Sequence, residues 1–309
     1  MRNRKALGNI LLLLTAMIWG TAFVAQRAGM ESIEPLTFTA ARMWPAALAV
    51  GLVALAMKKR SPSGMQKTDR KKTIFGGICC GLFLVSATIF QQTGIVYTTA
   101  GKAGFITAMY MLLVPVVNFL LFGKKNTWLV WLAVLTGVAG MYLLCITEGF
   151  SLTKGDSLVC ICAVLFTGHI LCCDYFVHSC NPVELSAVQF FTAAVVATAA
   201  AFLAETPTWG KIAAAALPIL YCGFVSGGIG YTLQIVAQKF TDPTVASLLL
   251  SMEAVFAVIG GALLLNERMS GRELAGCTVM FIAILMVQLP LPQKSAGSVF
   301  KGKTGNVGK

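Results

Sequence analysis

The chain has 309 residues, 57% hydrophobic and only 12% charged, with 24 Lys and Arg against 12 Asp and Glu and a formal net charge of +12. At a mean hydropathy of +0.79 it carries more apolar surface than one water-soluble core can bury, which excludes an ordinary soluble domain and leaves the bilayer as solvent. The basic residues lie between apolar runs, so the charge points to membrane topology and no nucleic-acid partner is expected.

A hydrocarbon core of roughly 30 Å takes about 20 residues of helix to cross. Apolar runs of that kind lie near 7–26, 36–57, 74–97, 103–123, 128–146, 156–177, 184–204, 213–238, 243–265 and 273–290, predicting an all-α integral membrane protein of about ten transmembrane helices. The first run follows MRNRK and resembles a signal peptide, but it exceeds the usual h-region of about 7–15 residues and has an internal counterpart. The basic loop 58–72 reads as a solvated topology determinant. The third and eighth runs are long and glycine-containing, so tilting or breakage is expected there. A basic tail, 291–309, is expected to be disordered.

If the N-terminus is cytoplasmic, 17 of the 24 Lys and Arg fall on the cytoplasmic side, including Arg2, Arg4, Lys58, Arg70, Lys124 and Lys239. Opposite-side loops receive Arg27, Lys102, Lys154, Lys211, Arg268 and Arg272, and Arg42 falls inside a helix. This bias follows the positive-inside rule and predicts both termini in the cytoplasm.

The chain also repeats itself. A shift of 147 lays 8–44 over 155–191 without a gap, matching Gly8 with Gly155, Leu11 with Leu158, Ala16 with Ala163, and Pro35 with Pro182. A shift of 140 lays LVSATIFQQTGIV at 84–96 over FVSGGIGYTLQIV at 224–236. Residues 1–146 and 147–290 thus read as two five-helix repeats. An odd number of spans per repeat inserts the second upside down, a plan shared by many secondary transporters, with solute expected at the midplane between the halves.

The ten cysteines lie in apolar runs or in a loop assigned to the cytoplasm, so they form no disulfide framework. Cys160 with Cys162, and Cys172 with Cys173 near His169, sketch a soft-metal site on paper only. Adjacent helical positions diverge by about 100°, and neither a metal nor any other cofactor is expected.

The segments WGTAFVAQRAGMESIEPLTFTAAR, SATIFQQTGIVYTTAGKAGFITAMYMLLVPV and TVASLLLSMEAVFAVIGGALLLNERMSGRELAGCTVMFIAIL resemble the EamA-type members of the drug/metabolite transporter superfamily, over essentially the whole chain from Ala6 to Leu289. The resemblance implies a ten-helix carrier of a bacterial inner membrane. Four helices of each half would surround a central cavity, with the last helix of each half peripheral. The family's usual Glu-Pro pair appears here as Glu253-Ala254, and the acid that commonly ends that helix as Glu267. The first half departs, with Leu113-Val114-Pro115 and then FGKKN.

Polar residues inside the spans give the candidate site, because an ionised side chain at the bilayer centre costs at least about 2.5–3.5 kcal/mol. Trp19 and its repeat counterpart Phe166, His169, Gln91, Gln92, Tyr110, Tyr231 and Gln234 are the expected solute-binding residues. Gln91 and Gln92 correspond to Tyr231 and Thr232 under the 140 shift. Arg42 is either an outward-snorkelling structural residue or a ligand for an anionic group. Glu253, about ten residues from either end of its predicted span, is too deep to reach water. It is expected to face the cavity, paired with a cation or carrying a proton exchanged for solute, with a protonated Glu hydrogen-bonded to a neighbouring helix as the structural alternative. Gly223, Gly227 and Gly230 read as a packing face.

The expected function is secondary active transport of a small solute by alternating access, with export of amino acids, related metabolites or drugs first and uptake of a sugar or nucleotide-linked solute second. Channel-like uniport, a sensor and a polytopic membrane enzyme are the rivals. An enzyme would need clustered carboxylates or metal ligands at the membrane boundary, and the sequence has no His-Glu-x-x-His, Asp-rich pair or Gly-rich phosphate loop. Solute, bilayer lipid and protons are the expected partners, with a homodimer admitted.

Overall fold

The computed structural model describes residues 2–60, 70–123, 127–145, 152–241 and 243–288, so most of the 58–72 loop and the whole of the 291–309 tail lie outside the described residues. The first repeat comprises α1 (Arg2–Gly29), α2 (Pro35–Arg60), α3 (Arg70–Ile95), α4 (Ala100–Thr107), α5 (Tyr110–Phe122) and α6 (Trp128–Cys145). The second comprises α7 (Lys154–Val177), α8 (Pro182–Ala204), α9 (Trp209–Ala214), α10 (Ala216–Leu220), a π-helical segment (Tyr221–Tyr231), α11 (Thr232–Gln238), α12 (Pro243–Leu250), α13 (Glu253–Leu264) and α14 (Gly271–Gln288). Among the described residues there is no strand.

Each predicted run is helical, but by length and composition seven described stretches suffice to cross a bilayer: Arg4–Gly29, Pro35–Lys58, Arg70–Ile95, Ala100–Leu121, Lys154–Val177, Pro182–Ala204 and Ala216–Gln238. Trp128–Leu143 and Glu253–Leu264 are shorter apolar helices. Side chains such as Leu120, Leu121, Leu203, Leu217 and Leu263 stand on the outer surface at 70–88% exposure, where only lipid can accept them.

Local sequence explains three of the helix starts. Thr99 accepts the Lys102 amide, Thr153 the Asp156 amide, and Asn181 the amides of Val183 and Glu184 just before Pro182 at the first helical position. The third run is unbroken, which leaves tilting as the expectation there: Gly76, Gly77 and Gly81 seat Phe176, Val188 and Thr192 of the facing helices and so pack α3 rather than interrupt it. The eighth run is interrupted at Ala215 and turns π-helical over Tyr221–Tyr231, and its glycines form the expected packing face. A methyl on Gly223 would lie 2.7 Å from the Arg42 carbonyl, and one on Gly227 would lie 2.8 Å from Ala46 Cβ, so the π segment rides close on α2.

The fourth and ninth runs are also interrupted, at Ala108-Met109 and Ser251-Met252, where continuous helices were expected. These breaks are repeat equivalents, related by a shift of 143. The same shift relates the two positive-φ residues of the described chain, Gly123 (φ 63°) and Asn266 (φ 53°), which end α5 and follow α13. Both are residue types that tolerate the left-handed region, as a helix C-terminus requires.

Packing carries the same two-fold relation. The helix α3 packs on α7 and α8, as the π segment and α11 pack on α1, and the π segment on α2. The self-related pairs α2 with α8 and α6 with α14 pack on each other. The buried core runs continuously through both repeats, from Leu12 and Phe23 to Phe190, Leu250 and Met280.

Candidate functional site

A narrow central cavity lies between the repeats. It is lined from α1 by Trp19, Ala22, Phe23 and Gln26, from α2 by Arg42, and from α3, α4 and α5 by Gln91, Thr107 and Tyr110. The second repeat supplies Phe166, His169 and Ile170 from α7, Ser226 and Tyr231 from the π segment, and Gln234 and Glu253 from α11 and α13. Neither α6 nor α14 contributes, in keeping with a peripheral position.

The lining is built of repeat-related positions. Trp19 pairs with Phe166, Ala22 with His169, and Phe23 with Ile170 under the 147 shift; Gln91 pairs with Tyr231 under 140 and Tyr110 with Glu253 under 143. The cavity therefore sits on the two-fold relation, yet the chemistry within each pair differs. The scaffold is symmetric and the surface it presents is not.

One wall is aromatic. Trp19 and Tyr231 have ring centroids 4.5 Å apart, and Tyr231 meets His169 at 5.8 Å and Phe190 at 5.6 Å, both edge-on. Trp19 Nε1 donates to the Ser226 carbonyl at 3.3 Å, and Thr15 Oγ1 lies 3.4 Å from the Gly230 carbonyl. Both acceptors belong to the π segment, whose wider turn leaves carbonyls for such bonds. His169 is fully buried, its Nε2 held 3.1 Å from Gln189 Oε1 and 3.4 Å from Cys173 Sγ.

The polar groups are largely unpaired. Arg42 Nε and Nη2, His169 Nδ1, Gln26 Oε1 and Gln234 Oε1 are buried with no hydrogen-bond partner, and the Tyr110 hydroxyl and the Glu253 carboxyl face one another. Arg42 is 6% exposed, its guanidinium 5.7 Å from the Phe38 ring centroid, so the snorkelling alternative gives way to burial beside the cavity. Glu253 is corrected in position: it is the first residue of α13, immediately after the break, rather than mid-helix. A carboxyl there meets the positive end of the helix dipole.

The family is shown by comparison. The sequence profile of the EamA-like transporter family matches residues 6–146 and again 153–289. The chain belongs to the EamA-like transporter family. An uncharacterized transporter of Archaeoglobus fulgidus is 29% identical over 283 residues, covering 90% of this chain and 84% of the relative. A WAT1-related chloroplast protein of Arabidopsis thaliana is 26% identical, covering 88% and 67%, and the uncharacterized transporter YoaV of Bacillus subtilis 20% identical, covering 89% and 94%. A solved crystal structure shares the fold with a TM-score of 0.68 at 17% identity, over 90% of this chain and 95% of that one. This EamA-like chain is a multi-pass membrane transporter.

Of the residues singled out from sequence, the EamA-like cavity brings together Trp19, Arg42, Gln91, Tyr110, Phe166, His169, Tyr231, Gln234 and Glu253. Gln92 stays outside it: fully buried, it reaches the Gln26 carbonyl at 3.4 Å, and its repeat partner Thr232 turns away to bond Ser186 Oγ at 3.0 Å. Sequence reading missed Gln26, Thr107 and Ser226. Gln26 was findable, two helical turns from Trp19 on the same face of α1. Of the cysteine grouping sketched from sequence, Cys173 lies 3.4 Å from His169; Cys80, outside that sketch, lies 3.4 Å from Cys172 and 3.7 Å from Cys173, and no group of three metal-ligating side chains converges among the described residues.

Proposed function

We propose that this transporter is a secondary active carrier that exports small zwitterionic metabolites of amino-acid type by alternating access, with both termini in the cytoplasm of a bacterial inner membrane. The observation that carries this reading is the concentration of unpaired buried polar atoms around one cavity. A buried polar group without a partner costs about 1–3 kcal/mol, more if charged, so a cluster of them points to a polar ligand that completes it.

The two charged types set the class. Arg42 offers two free N–H donors, suited to a carboxylate. Glu253 offers a carboxyl beside the Tyr110 hydroxyl at the start of α13, suited to an ammonium group or a proton. The aromatic wall from Trp19 to His169 supports an apolar side chain between them. Export is the direction favoured by the resemblance to the drug/metabolite transporter superfamily.

Counterflow in proteoliposomes tests the reading: vesicles preloaded with mixed amino acids should exchange a labelled one, and Arg42→Gln should abolish exchange. Exchange of sugars alone, or amino-acid exchange that Arg42→Gln leaves intact, would overturn the zwitterion assignment.

A further inference from the structure

At the end of the molecule where α3 leads into α4, a set of polar contacts ties the first repeat to the second. Lys102 Nζ on α4 lies 3.1 Å from Asp156 Oδ2 at the start of α7, off the hydrogen-bond direction, with side chains only 11% and 0% exposed. Thr98 Oγ1 donates to the other oxygen of that carboxylate at 3.3 Å. Glu267, beyond α13, accepts the Ala100 and Gly101 amides of the first turn of α4 at 2.9 and 3.3 Å. Glu205, after α8, accepts the Leu36 and Thr37 amides and the Thr37 hydroxyl at the start of α2, at 2.9, 2.7 and 2.7 Å. Lys211 pairs with Glu34, whose carboxyl it holds below the usual carboxylate range. In every contact the two partners belong to different repeats.

Sequence reading placed Lys102 in an open loop. It is instead the buried cation of this seam. The cavity lies just beneath: Thr107 of its lining is five residues along α4 from Lys102, about 7.5 Å at 1.5 Å per residue. Gln26 of the lining directly precedes Arg27, whose Nη1 donates to the Ile95 and Val96 carbonyls at 3.0 Å. The repeat counterparts of Glu205 and Glu267 are Lys58 and Lys124, so these two capping acids are confined to this end.

The chemistry of the seam suits repeated opening. Parting an apolar seam exposes hydrophobic area to water at a cost of roughly 25 cal/mol per Å². An ion pair or a carboxylate-capped helix end exchanges its partner for water at close to break-even, because desolvation offsets most of the attraction. Two states of similar free energy are what a carrier needs on its two faces.

We infer that these contacts form the extracytoplasmic gate of the carrier, with Lys102 and Asp156 as the pair that must separate to open it. This rests on the carrier reading given above, but its test needs no solute, so an error in the solute class leaves it standing.

The test places a single cysteine at Ala22, a lining position 1% exposed, in a chain whose native cysteines are replaced. A membrane-impermeant thiol reagent is then applied separately from each side. Asp156→Asn should speed labelling from the extracytoplasmic side at least about fivefold, the lower end of typical conformational couplings, and slow it from the cytoplasmic side. The charge-swapped double variant Lys102→Asp with Asp156→Lys should return both rates toward the parent. If Asp156→Asn does not reach the membrane, Glu267→Gln is measured in the same way with the same expectation. Unchanged rates, a rise from both sides together, or a double variant that labels as fast as Asp156→Asn overturns the gate.

Discussion

Trp19 of the first repeat and Tyr231 of the second meet with ring centroids 4.5 Å apart and planes inclined at 47°. The contact is held from behind, because Trp19 Nε1 donates to the Ser226 carbonyl and Tyr231 closes the same π segment. A small residue makes it possible: a methyl on Gly230 would lie 2.7 Å from Trp19 Nε1. The aromatic wall of the cavity is thus a junction between repeats, and solute that contacts it touches both.

Trp19→Ala should therefore raise the half-saturation for transported solute by roughly tenfold, combining an aromatic pair and a hydrogen bond each worth about 0.5–1.5 kcal/mol. Trp19→Phe, which keeps a ring and loses the hydrogen bond, should raise it by about threefold. Concentration dependence of counterflow in proteoliposomes measures both, and equal effects for the two variants would remove the hydrogen bond from the account.

Glu253→Gln keeps the shape and the hydrogen-bonding capacity of the side chain while removing its charge and its titration. The variant should insert normally and exchange solute down its own gradient, yet fail to concentrate solute in response to an imposed pH gradient. Accumulation at the parent level under that gradient would make Glu253 a structural residue.

Gly20 lies where α1 crosses α13, and a methyl there would sit 2.3 Å from Phe256 Cβ and 2.6 Å from the Glu253 carbonyl. Gly20→Ala should destabilise the protein by about 1–3 kcal/mol, as overpacking does, and lower its thermal midpoint in detergent. Gly51→Ala provides the contrast, since nothing lies within 4 Å of the added methyl, and its midpoint should be unchanged or slightly higher.

The distribution of Lys and Arg predicts that Met1 and Lys309 share the cytoplasmic side. A reporter active only outside the cytoplasm, fused after Lys309, should stay silent. Strong activity would require an odd number of spans and would break the pairing of the two repeats.

Much of this was legible in the sequence because the repeat registers carry three-dimensional information. The shifts of 147 and 140 placed Trp19 opposite Phe166 and Gln91 opposite Tyr231, and the cavity brings each pair together. The breaks before Tyr110 and Glu253 were not legible, since TAMY and LSME contain neither glycine nor proline. They accompany close packing across the repeats, where Gly101 and Gly104 of α4 seat Val258 and Ala257 of α13. The burial of Lys102 and Asp156 was hidden for a related reason. Lys102 was placed in a loop bound for water, and only tertiary packing brings it within reach of Asp156. Gln92 lies outside the lining because neighbouring helical positions diverge by about 100°, which turns it toward the Gln26 carbonyl while Gln91 faces the cavity.

The capping of α4 by Glu267 also sets an order of events during synthesis. Glu267 follows Ala100, the residue whose amide it accepts, by 167 positions. At about 5–20 residues per second, roughly 8–30 s separate the emergence of the two from the ribosome. During that interval the first turn of α4 lacks its carboxylate acceptor, and α2 waits similarly for Glu205, 169 positions after Leu36. The first repeat can enter the membrane early, but two of its helix ends are completed only by residues of the second, so a truncated chain ending before Glu205 should be a preferred substrate of membrane proteases.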